Sequence, residues 1–261
     1  MKVERFAAPL GAVVSGVDVT SIDDSTWAVL DDLFVEHHVL VFPDQQLSPD
    51  DQLTFARRWG PLLRHPYTGT TEYPELIELT NPGKRKDVNQ HWHSDMTYEK
   101  TPPKLTMLYA RTAPGIGGDT AFANQFLAYD DLSDGLRRIV DQLEAVHSAE
   151  SAARAYAADP ANATQAVHPV VRTHDQSGRR ALYVCKMFTQ YFAGWSRSES
   201  RPLLDYLCSH STRPEYQARH RWRSGDLVLW DNRCLLHFAV HDHGDQPRIL
   251  HRCQVAGPVP A

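Results

Sequence analysis

The first sixty residues alternate between short apolar runs and helical patterns. Residues 8–20 alternate apolar with small or polar side chains and predict one or two short strands. Residues 24–37 repeat large apolar side chains at helical spacing and predict an amphipathic helix. Residues 39–42, Val-Leu-Val-Phe, predict a buried strand. Ser48, followed by proline and two acids, predicts the start of a second helix, which Gly60 ends.

Beyond residue 60 the pattern changes to many short strands separated by turns. Strands are predicted at 75–80, 104–112, 119–124, 166–173, 181–185, 216–222, 226–230, 234–240 and 248–255. Helices are predicted near 132–145 and 198–210. Short strands in this number favour a sandwich or jelly roll over a doubly wound sheet, and no glycine-rich nucleotide-binding motif is present. We therefore predict a mainly β protein with flanking helices and a jelly-roll core, the double-stranded β-helix.

The chain shows no clear linker and no internal repeat, so residues 1–261 are predicted to form a single domain with an N-terminal flank over 1–60. The segment 149–166 is rich in alanine and polar residues, and strands are predicted on both sides of it. We interpret this segment as a surface insertion that acts as a lid.

Composition describes a globular protein without a strongly basic surface. The net charge is −5, with 27 basic and 32 acidic residues, which argues against nucleic acid or an anionic membrane as partners. We expect no transmembrane helix and no secretory signal, because neither an apolar run of sufficient length nor an apolar signal core is present. The four cysteines form no CxxC pair and predict free thiols in a cytoplasmic protein.

A metal site is suggested by residue types at two distant positions. His93 and Asp95 are two residues apart, so in an extended segment both side chains can face one centre. His237 would complete a set of two histidines and one carboxylate, the facial triad of non-haem Fe(II) oxygenases. Spacing alone leaves three rival histidines, His241, His243 and His251.

Three motifs in a fixed order give the chain a resemblance to a known family. They are Trp92-His93-Ser94-Asp95, Gly117-Gly118-Asp119-Thr120, and Trp230-Asp231-Asn232-Arg233 with His237, Arg248 and Arg252. The chain resembles the taurine dioxygenase family, which includes aryloxyalkanoate and alkylsulfate dioxygenases that depend on Fe(II) and 2-oxoglutarate. The resemblance extends over nearly the whole chain, and the motifs are specific only in combination.

The resemblance implies a role for each of these residues. Iron would be held by His93, Asp95 and His237, because the third ligand of the family precedes an arginine by eleven residues. The distal carboxylate of 2-oxoglutarate would be bound by Arg248 and Thr120. A guanidinium fork and a hydroxyl donor suit such a carboxylate.

The resemblance also implies contacts with the prime substrate. Arg252 would lie between 2-oxoglutarate and an anionic substrate group, with a structural ion pair as the alternative. His65, Asn89 and Phe188 match substrate-contacting positions, although each could equally serve packing. The sequence departs from the taurine pattern at Thr68, where the family has a tyrosine, which counts against taurine itself.

The expected activity is hydroxylation of a C–H bond in a small anionic molecule with Fe(II), 2-oxoglutarate and O₂, releasing succinate and CO₂. The substrate classes are sulfonates, alkyl sulfates, aryloxyalkanoates and other carboxylates. One alternative is desaturation, ring closure or another oxidation of an amino-acid-like or natural-product substrate. The others are a non-enzymatic jelly-roll binding module and a zinc hydrolase. A homodimer or homotetramer is a family-level expectation.

Overall fold

A computed structural model describes residues 1–64, 72–80, 91–155 and 159–261. The strands in these ranges are β1 (Lys2–Arg5), β2 (Ala12–Ser15), β3 (Val39–Phe42), β4 (Ile77–Thr80), β5 (Pro103–Thr112), β6 (Thr120–Asn124), β7 (Glu144–Ser148), β8 (Gln165–Pro169), β9 (Val171–Thr173), β10 (Arg180–Leu182), β11 (Thr189–Phe192), β12 (Gln217–His220), β13 (Leu227–Asp231), β14 (Leu235–Ala239) and β15 (Ile249–Ala256). The helices are α1 (Asp24–His37), α2 (Pro49–Arg57), α3 (Gln125–Asp130), α4 (Asp134–Val140), α5 (Glu150–Ala155) and α6 (Arg197–His210). None of these helices could cross a membrane, judged by length and apolar character.

Two sheets that face each other form the centre of the fold. The larger sheet has the strand order β1-β2-β3-β13-β5-β15-β4, and the smaller has the order β12-β6-β14. Their inner faces share one buried apolar cluster, to which Val228 contributes from the larger sheet and Phe122 from the smaller. This is the arrangement of a jelly roll with flanking helices, and it confirms the predicted fold class.

The alternation of side chains along the large sheet decides which residues face the site. On β13, Leu227 and Leu229 pack with Phe34 of α1 and Phe55 of α2 on the outer face. The residues between them point to the inner face and the smaller sheet, as strand geometry requires. The two predicted N-terminal helices and the strand between them are confirmed, and α2 begins after the predicted N-cap Ser48, which forms a capping box with Asp51.

The middle of the chain differs from the prediction. The predicted helix over 132–145 is wrong in length, because α4 ends at Val140 and the next residues form β7 (Glu144–Ser148). β7 lies between β8 and β11 and pairs with both. Pairing on both edges, which is not visible in the local sequence, outweighs the helical spacing. The single strand predicted over 166–173 is also divided, into β8 and β9.

A buried ionic network ties the end of β13 to the turn between β9 and β10. The carboxylate of Asp231 accepts hydrogen bonds from Arg233 Nε at 2.9 Å and from His174 Nε2 at 2.9 Å. The guanidinium of Arg233 continues to Asp175 at 2.9 Å. Burial alone would raise the pKa of Asp231, but Arg233 and His174 outweigh it and hold this pKa well below its usual range. Cys234 lies beside this network; like the other three cysteines it is a free thiol, as predicted.

Replacing Asp231 with asparagine should destabilise the protein strongly. The change leaves the guanidinium of Arg233 buried without the charge of its main partner, which we expect to cost about 3–5 kcal/mol in the free energy of unfolding. Urea denaturation measures this difference. The control is Asp24→Asn, which removes a 96% exposed partner of Arg58 and should cost less than about 1 kcal/mol. Equal losses in both variants would contradict a structural role for the network.

Candidate active site

Two predicted motifs meet where β14 passes the segment that precedes β5. The backbones of His93 and His237 exchange two hydrogen bonds, of 3.1 Å and 2.8 Å, and their rings lie 4.1 Å apart. Asp95 Oδ1 is 3.8 Å from His93 Nε2 and 3.7 Å from His237 Nε2. All three side chains are buried, and their candidate ligand atoms lie within 4.8 Å of one another. The three residues could therefore hold one metal ion.

The protonation states of the three side chains suit a divalent cation. The Nδ1–H of His93 donates to the carbonyl of His91 at 2.7 Å, which leaves Nε2 with a free lone pair. Burial lowers the pKa of His93 and lowers that of His237 to about 3. Burial alone would raise the pKa of Asp95, but His237 and Arg252 outweigh it and hold this pKa at about 2. Two neutral imidazoles and one carboxylate are thus ready to bind metal without losing protons.

A chain of hydrogen bonds orients the carboxylate of Asp95. The hydroxyl of Thr106 donates to Asp95 Oδ2 at 2.6 Å. The same hydroxyl accepts from Asn232 Nδ2 at 2.8 Å and from Gln254 Nε2 at 3.0 Å, so its hydrogen is committed to the carboxylate. Trp230 Nε1 donates to Asn232 Oδ1 at 3.0 Å. Trp230 and Asn232 therefore help to orient the carboxylate of Asp95 through the hydroxyl of Thr106.

A pocket beside His237 contains the two arginines singled out in the sequence. Its lining residues are Leu79, Leu108, Thr120, Trp230, His237, Ala239, Arg248 and Arg252. Arg248 directly precedes β15 and Arg252 lies on it, and both side chains line the same pocket. The pocket therefore combines one candidate metal ligand with two cations and a hydroxyl.

The guanidinium groups of the pocket are available to an anion. Neither Arg248 nor Arg252 has a carboxylate within 4.0 Å among the residues the structure describes. Arg248 Nε donates to the carbonyl of Gly118 at 2.8 Å. Burial lowers the pKa of Arg248 to about 10, with Asp119 opposing, so the group stays charged at neutral pH. Arg252 is buried, and its Nε has no hydrogen-bond partner in the described part of the chain.

Thr120 is prepared to donate a hydrogen bond into the same pocket. Trp222 Nε1 donates to Thr120 Oγ1 at 3.0 Å, so the hydroxyl hydrogen is free for another acceptor. The ring of Trp222 also lies 5.8 Å from the guanidinium carbon of Arg248. Trp222 thereby contacts both Thr120 and Arg248, which line the pocket.

The turn before Thr120 needs glycine for close packing against Arg248. Gly118 has φ +70°, and a Cβ there would lie 3.1 Å from Arg248 Cδ. The N–H of Gly118 donates to Asp242 Oδ1 at 2.8 Å. Arg219 joins Asp242, at 3.1 Å, to Asp119, at 2.5 Å. These contacts fix the carbonyl that orients the Arg248 side chain.

The structure distinguishes the remaining candidates. Phe188 is buried, and its ring lies edge-on 5.9 Å from the His93 ring. His65 and Asn89, the other two predicted substrate contacts, lie outside the described residues. The rival histidines have other neighbours: His243 Nδ1 lies 3.0 Å from the carbonyl of Gln246, His251 faces Glu78 at 3.4 Å, and the ring of His241 lies 6.4 Å from that of His243 at a tilt of 38°.

The comparisons with known proteins agree with this geometry. Residues 2–254 match the family model described as taurine catabolism dioxygenase TauD, TfdA family. The chain belongs to this family. It is 35% identical to an alpha-ketoglutarate-dependent sulfate ester dioxygenase of Pseudomonas putida, over 100% of this chain and 91% of that protein. It is 34% identical to an (S)-phenoxypropionate/alpha-ketoglutarate-dioxygenase of Sphingobium herbicidovorans, over 96% of this chain and 93% of that protein.

A solved structure of a taurine dioxygenase from Burkholderia xenovorans is similar throughout. It has a TM-score of 0.87 at 32% identity and covers 100% of this chain and 90% of that one. The predicted family and enzyme class are confirmed: the protein is a 2-oxoglutarate-dependent non-haem iron dioxygenase. The predicted cofactor set of Fe(II), 2-oxoglutarate and O₂ is confirmed with it.

The sequence analysis did not identify the residues that hold the site side chains in position by hydrogen bonds. Thr106 and Gln254 are buried polar residues at inner-face positions of β5 and β15, and strand alternation could have placed both on the face of the site. Trp222 and Asp242 gave no such signal, because both act through loops that only the folded structure brings together.

Replacing Thr106 with valine should weaken metal binding while the fold persists. The isosteric change removes the hydrogen bond that orients Asp95, and losses of this kind typically reduce metal affinity about 10–100-fold. Calorimetric titration with Mn(II) or anaerobic Fe(II) measures the dissociation constant. Thr212→Val, which removes a hydroxyl that donates to a helix carbonyl of α6, is the matched control and should bind as wild type does. Unchanged affinity in Thr106→Val would contradict the role of this hydroxyl.

Proposed function

We propose that the enzyme oxidises a C–H bond of a small anionic substrate, with release of succinate and CO₂. The observation that carries this proposal is the pocket in which two buried arginines, free of carboxylate partners among the described residues, adjoin a triad of two histidines and one carboxylate. The presence of Thr120, Arg248 and Arg252 beside all three candidate ligands argues against a non-enzymatic jelly-roll binding module, and a zinc hydrolase would leave both arginines without a function.

The donor set fits iron, and His93, Asp95 and His237 would hold it. Iron bound there supplies the redox chemistry that couples decarboxylation of 2-oxoglutarate to oxidation of the substrate by O₂. The protein contributes a fixed set of three ligands on one side. Thr106 keeps the carboxylate of Asp95 in place, and the hydrogen bond of His93 to a carbonyl fixes its tautomer.

The cosubstrate would be bound through its distal carboxylate by Arg248 and Thr120. Arg248 keeps its terminal guanidinium nitrogens for this task, since its Nε already donates to Gly118. The hydroxyl of Thr120 would donate, because it accepts from Trp222. Arg252, which lowers the pKa of Asp95 through its charge, would face the other end of the cosubstrate and an anionic group of the prime substrate.

The prime substrate would be a sulfonate, an alkyl sulfate, an aryloxyalkanoate or another carboxylate. The two enzymes and the solved structure described above are named for a sulfate ester, a phenoxypropionate and taurine, all of which carry an anionic group. Phe188 would form an apolar wall near His93, together with His65 and Asn89 as polar contacts. Thr68, in place of the family's tyrosine, makes taurine the weakest member of this set.

The segment 149–166 would act as the lid over this site. It contains α5 and a one-turn 3₁₀ helix at Pro160–Asn162, whereas residues 156–158 lie outside the described part. Ala149 and Ala152 of this segment pack in the same apolar cluster as Phe188. Movement of the segment would therefore displace Phe188, the proposed substrate wall, and would control the access of water to the site.

Replacing Arg248 with alanine should raise the 2-oxoglutarate requirement sharply. The variant loses charge-assisted hydrogen bonds to the distal carboxylate, at about 1.5–3 kcal/mol each, so KM should rise at least about 10-fold. Succinate release at varied 2-oxoglutarate measures KM and kcat separately. Arg137→Ala, on the surface of α4, is the control and should match wild type. An unchanged KM for 2-oxoglutarate in the Arg248 variant would show that its role is misassigned.

The substrate class can be found by a screen of succinate release over sulfonates, alkyl sulfates, aryloxy acids and amino acids. We expect turnover above the uncoupled background with members of the first three groups. Arg252→Gln, which removes the positive charge and keeps a polar side chain that can donate hydrogen bonds, should lose this stimulation. Turnover confined to amino acids would favour the alternative oxidation chemistry. No stimulation by any anion would contradict the role proposed for Arg252.

A further inference from the structure

Trp222 contacts Thr120 and Arg248 without lining the pocket that these two residues share. β12 pairs with β6 so that His220 lies opposite Thr120, and Trp222 follows His220 by two residues. The indole is 2% exposed and belongs to the apolar cluster between the two sheets. In the described part of the chain, Thr120 and Arg248 line the pocket, whereas Trp222 does not. Trp222 therefore acts on a bound ligand through these two neighbours.

The indole N–H of Trp222 determines the role of the Thr120 hydroxyl. Nε1 donates to Thr120 Oγ1 at 3.0 Å, and an indole nitrogen can only donate. One lone pair of the hydroxyl is thus occupied, so its hydrogen is directed to a different acceptor. A carboxylate, which only accepts, is the complementary ligand for such a hydroxyl. Removal of the indole N–H would leave the hydroxyl free to rotate and to act as an acceptor itself.

The ring of Trp222 restricts the position of the Arg248 guanidinium. The guanidinium carbon lies 5.8 Å from the ring centre, within the range of a cation–π contact. On another side, Arg248 Nε donates to the carbonyl of Gly118 at 2.8 Å. The indole is itself held by the ring of His220, which lies edge-on at 4.8 Å. The same tryptophan thus fixes both a hydroxyl donor and a cation.

We propose that Trp222 is a positioning residue that makes the pocket selective for 2-oxo acids with a distal carboxylate. This inference rests on the proposed binding of that carboxylate by Arg248 and Thr120. Trp222 aligns both groups on one carboxylate, although it does not touch the ligand. The 2-oxo end of the acid would lie at the triad instead. Loss of the Trp222 contacts should therefore weaken the binding only of acids that carry the second carboxylate.

Calorimetric titration of the Mn(II)-loaded enzyme without O₂ measures this selectivity apart from turnover. The ligands are 2-oxoglutarate and 2-oxopentanoate, which has a methyl group in place of the distal carboxylate. Trp222→Phe keeps a ring and removes the N–H, so it should weaken 2-oxoglutarate binding about 3–10-fold, as expected for one lost hydrogen bond. Its affinity for 2-oxopentanoate should match wild type. An equal loss for both acids, or no loss for 2-oxoglutarate, would overturn the proposal.

Trp59→Phe is the matched control for removal of a buried indole N–H. Trp59 Nε1 donates to Asp31 Oδ1 at 2.9 Å, and the indole packs in the apolar cluster on the outer face of the large sheet. This variant should bind both acids as wild type does. If it lost as much 2-oxoglutarate affinity as Trp222→Phe, the effect would be a general loss of stability and the positioning role would be refuted.

A double-mutant cycle with Thr120→Val tests whether the N–H acts through the hydroxyl. Trp222→Phe should cause no further loss of 2-oxoglutarate affinity in the Thr120→Val background, and additive losses would contradict this route. Arg248→Ala separates the inference from the proposed function. If Arg248→Ala binds 2-oxoglutarate as wild type does, the proposed cosubstrate site is wrong. If Arg248→Ala loses affinity and Trp222→Phe does not, the positioning role alone is wrong.

A measurement on the wild-type enzyme does not depend on the folding of any variant. The chain has six tryptophans, so their indole N–H resonances can be resolved by NMR spectroscopy. With diamagnetic Zn(II) in the metal site, the Trp222 resonance should shift when 2-oxoglutarate binds and shift much less when 2-oxopentanoate binds. Equal shifts with the two acids would show that Trp222 does not respond to the distal carboxylate.

Discussion

The candidate active site depends on one pair of backbone hydrogen bonds. The pairing between His93 and His237 joins two parts of the chain that are 144 positions apart. It fixes the segment with His93 and Asp95 against β14, and the hydroxyl of Ser94, which donates to the carbonyl of Asn232 at 2.7 Å, supports the same placement. The pairing also places His93 directly opposite His237, which is why their rings lie close enough to serve one ion. The geometry of the site is therefore a consequence of strand register.

Strand register also determines how the surrounding polar groups are distributed. On β15, Arg252 and Gln254 face inward, as does Arg248 directly before the strand, whereas Cys253 and Val255 pack against the helices. A shift of one residue in the register of β15 would turn its apolar residues toward the site and its inward-facing polar residues toward the helices. The large apolar core on the outer face opposes such a shift. Packing of the outer face against the helices thus fixes the strand register that directs the polar residues of the inner face toward the site.

The fold class, the N-terminal helices and the triad could be predicted from the sequence, and the physical reason differs for each. The helices carry caps and spacing in the local sequence, as Ser48 illustrates. The choice of His237 over its neighbours came from motif order, since spacing left His241, His243 and His251 open. β7 and β11 were missed because their neighbours in the sheet, not their own residues, stabilise them. Thr106 was missed because its partners come from the turn after β13 and from β15 as well as from the metal-ligand segment.

The partners of each buried arginine provide a physical criterion for function in this protein. Arg233 is paired with Asp231 and Asp175, so its charge is already compensated and it serves the fold. Arg248 and Arg252 have no carboxylate within 4.0 Å in the described residues, and they line a pocket beside the triad. Arg172 also has no carboxylate within 4.0 Å among the described residues, but its guanidinium lies over the ring of Tyr183 and does not line this pocket. Because a buried cation needs compensation wherever it lies, the two arginines without carboxylate partners beside the triad support the proposal that the pocket binds an organic acid.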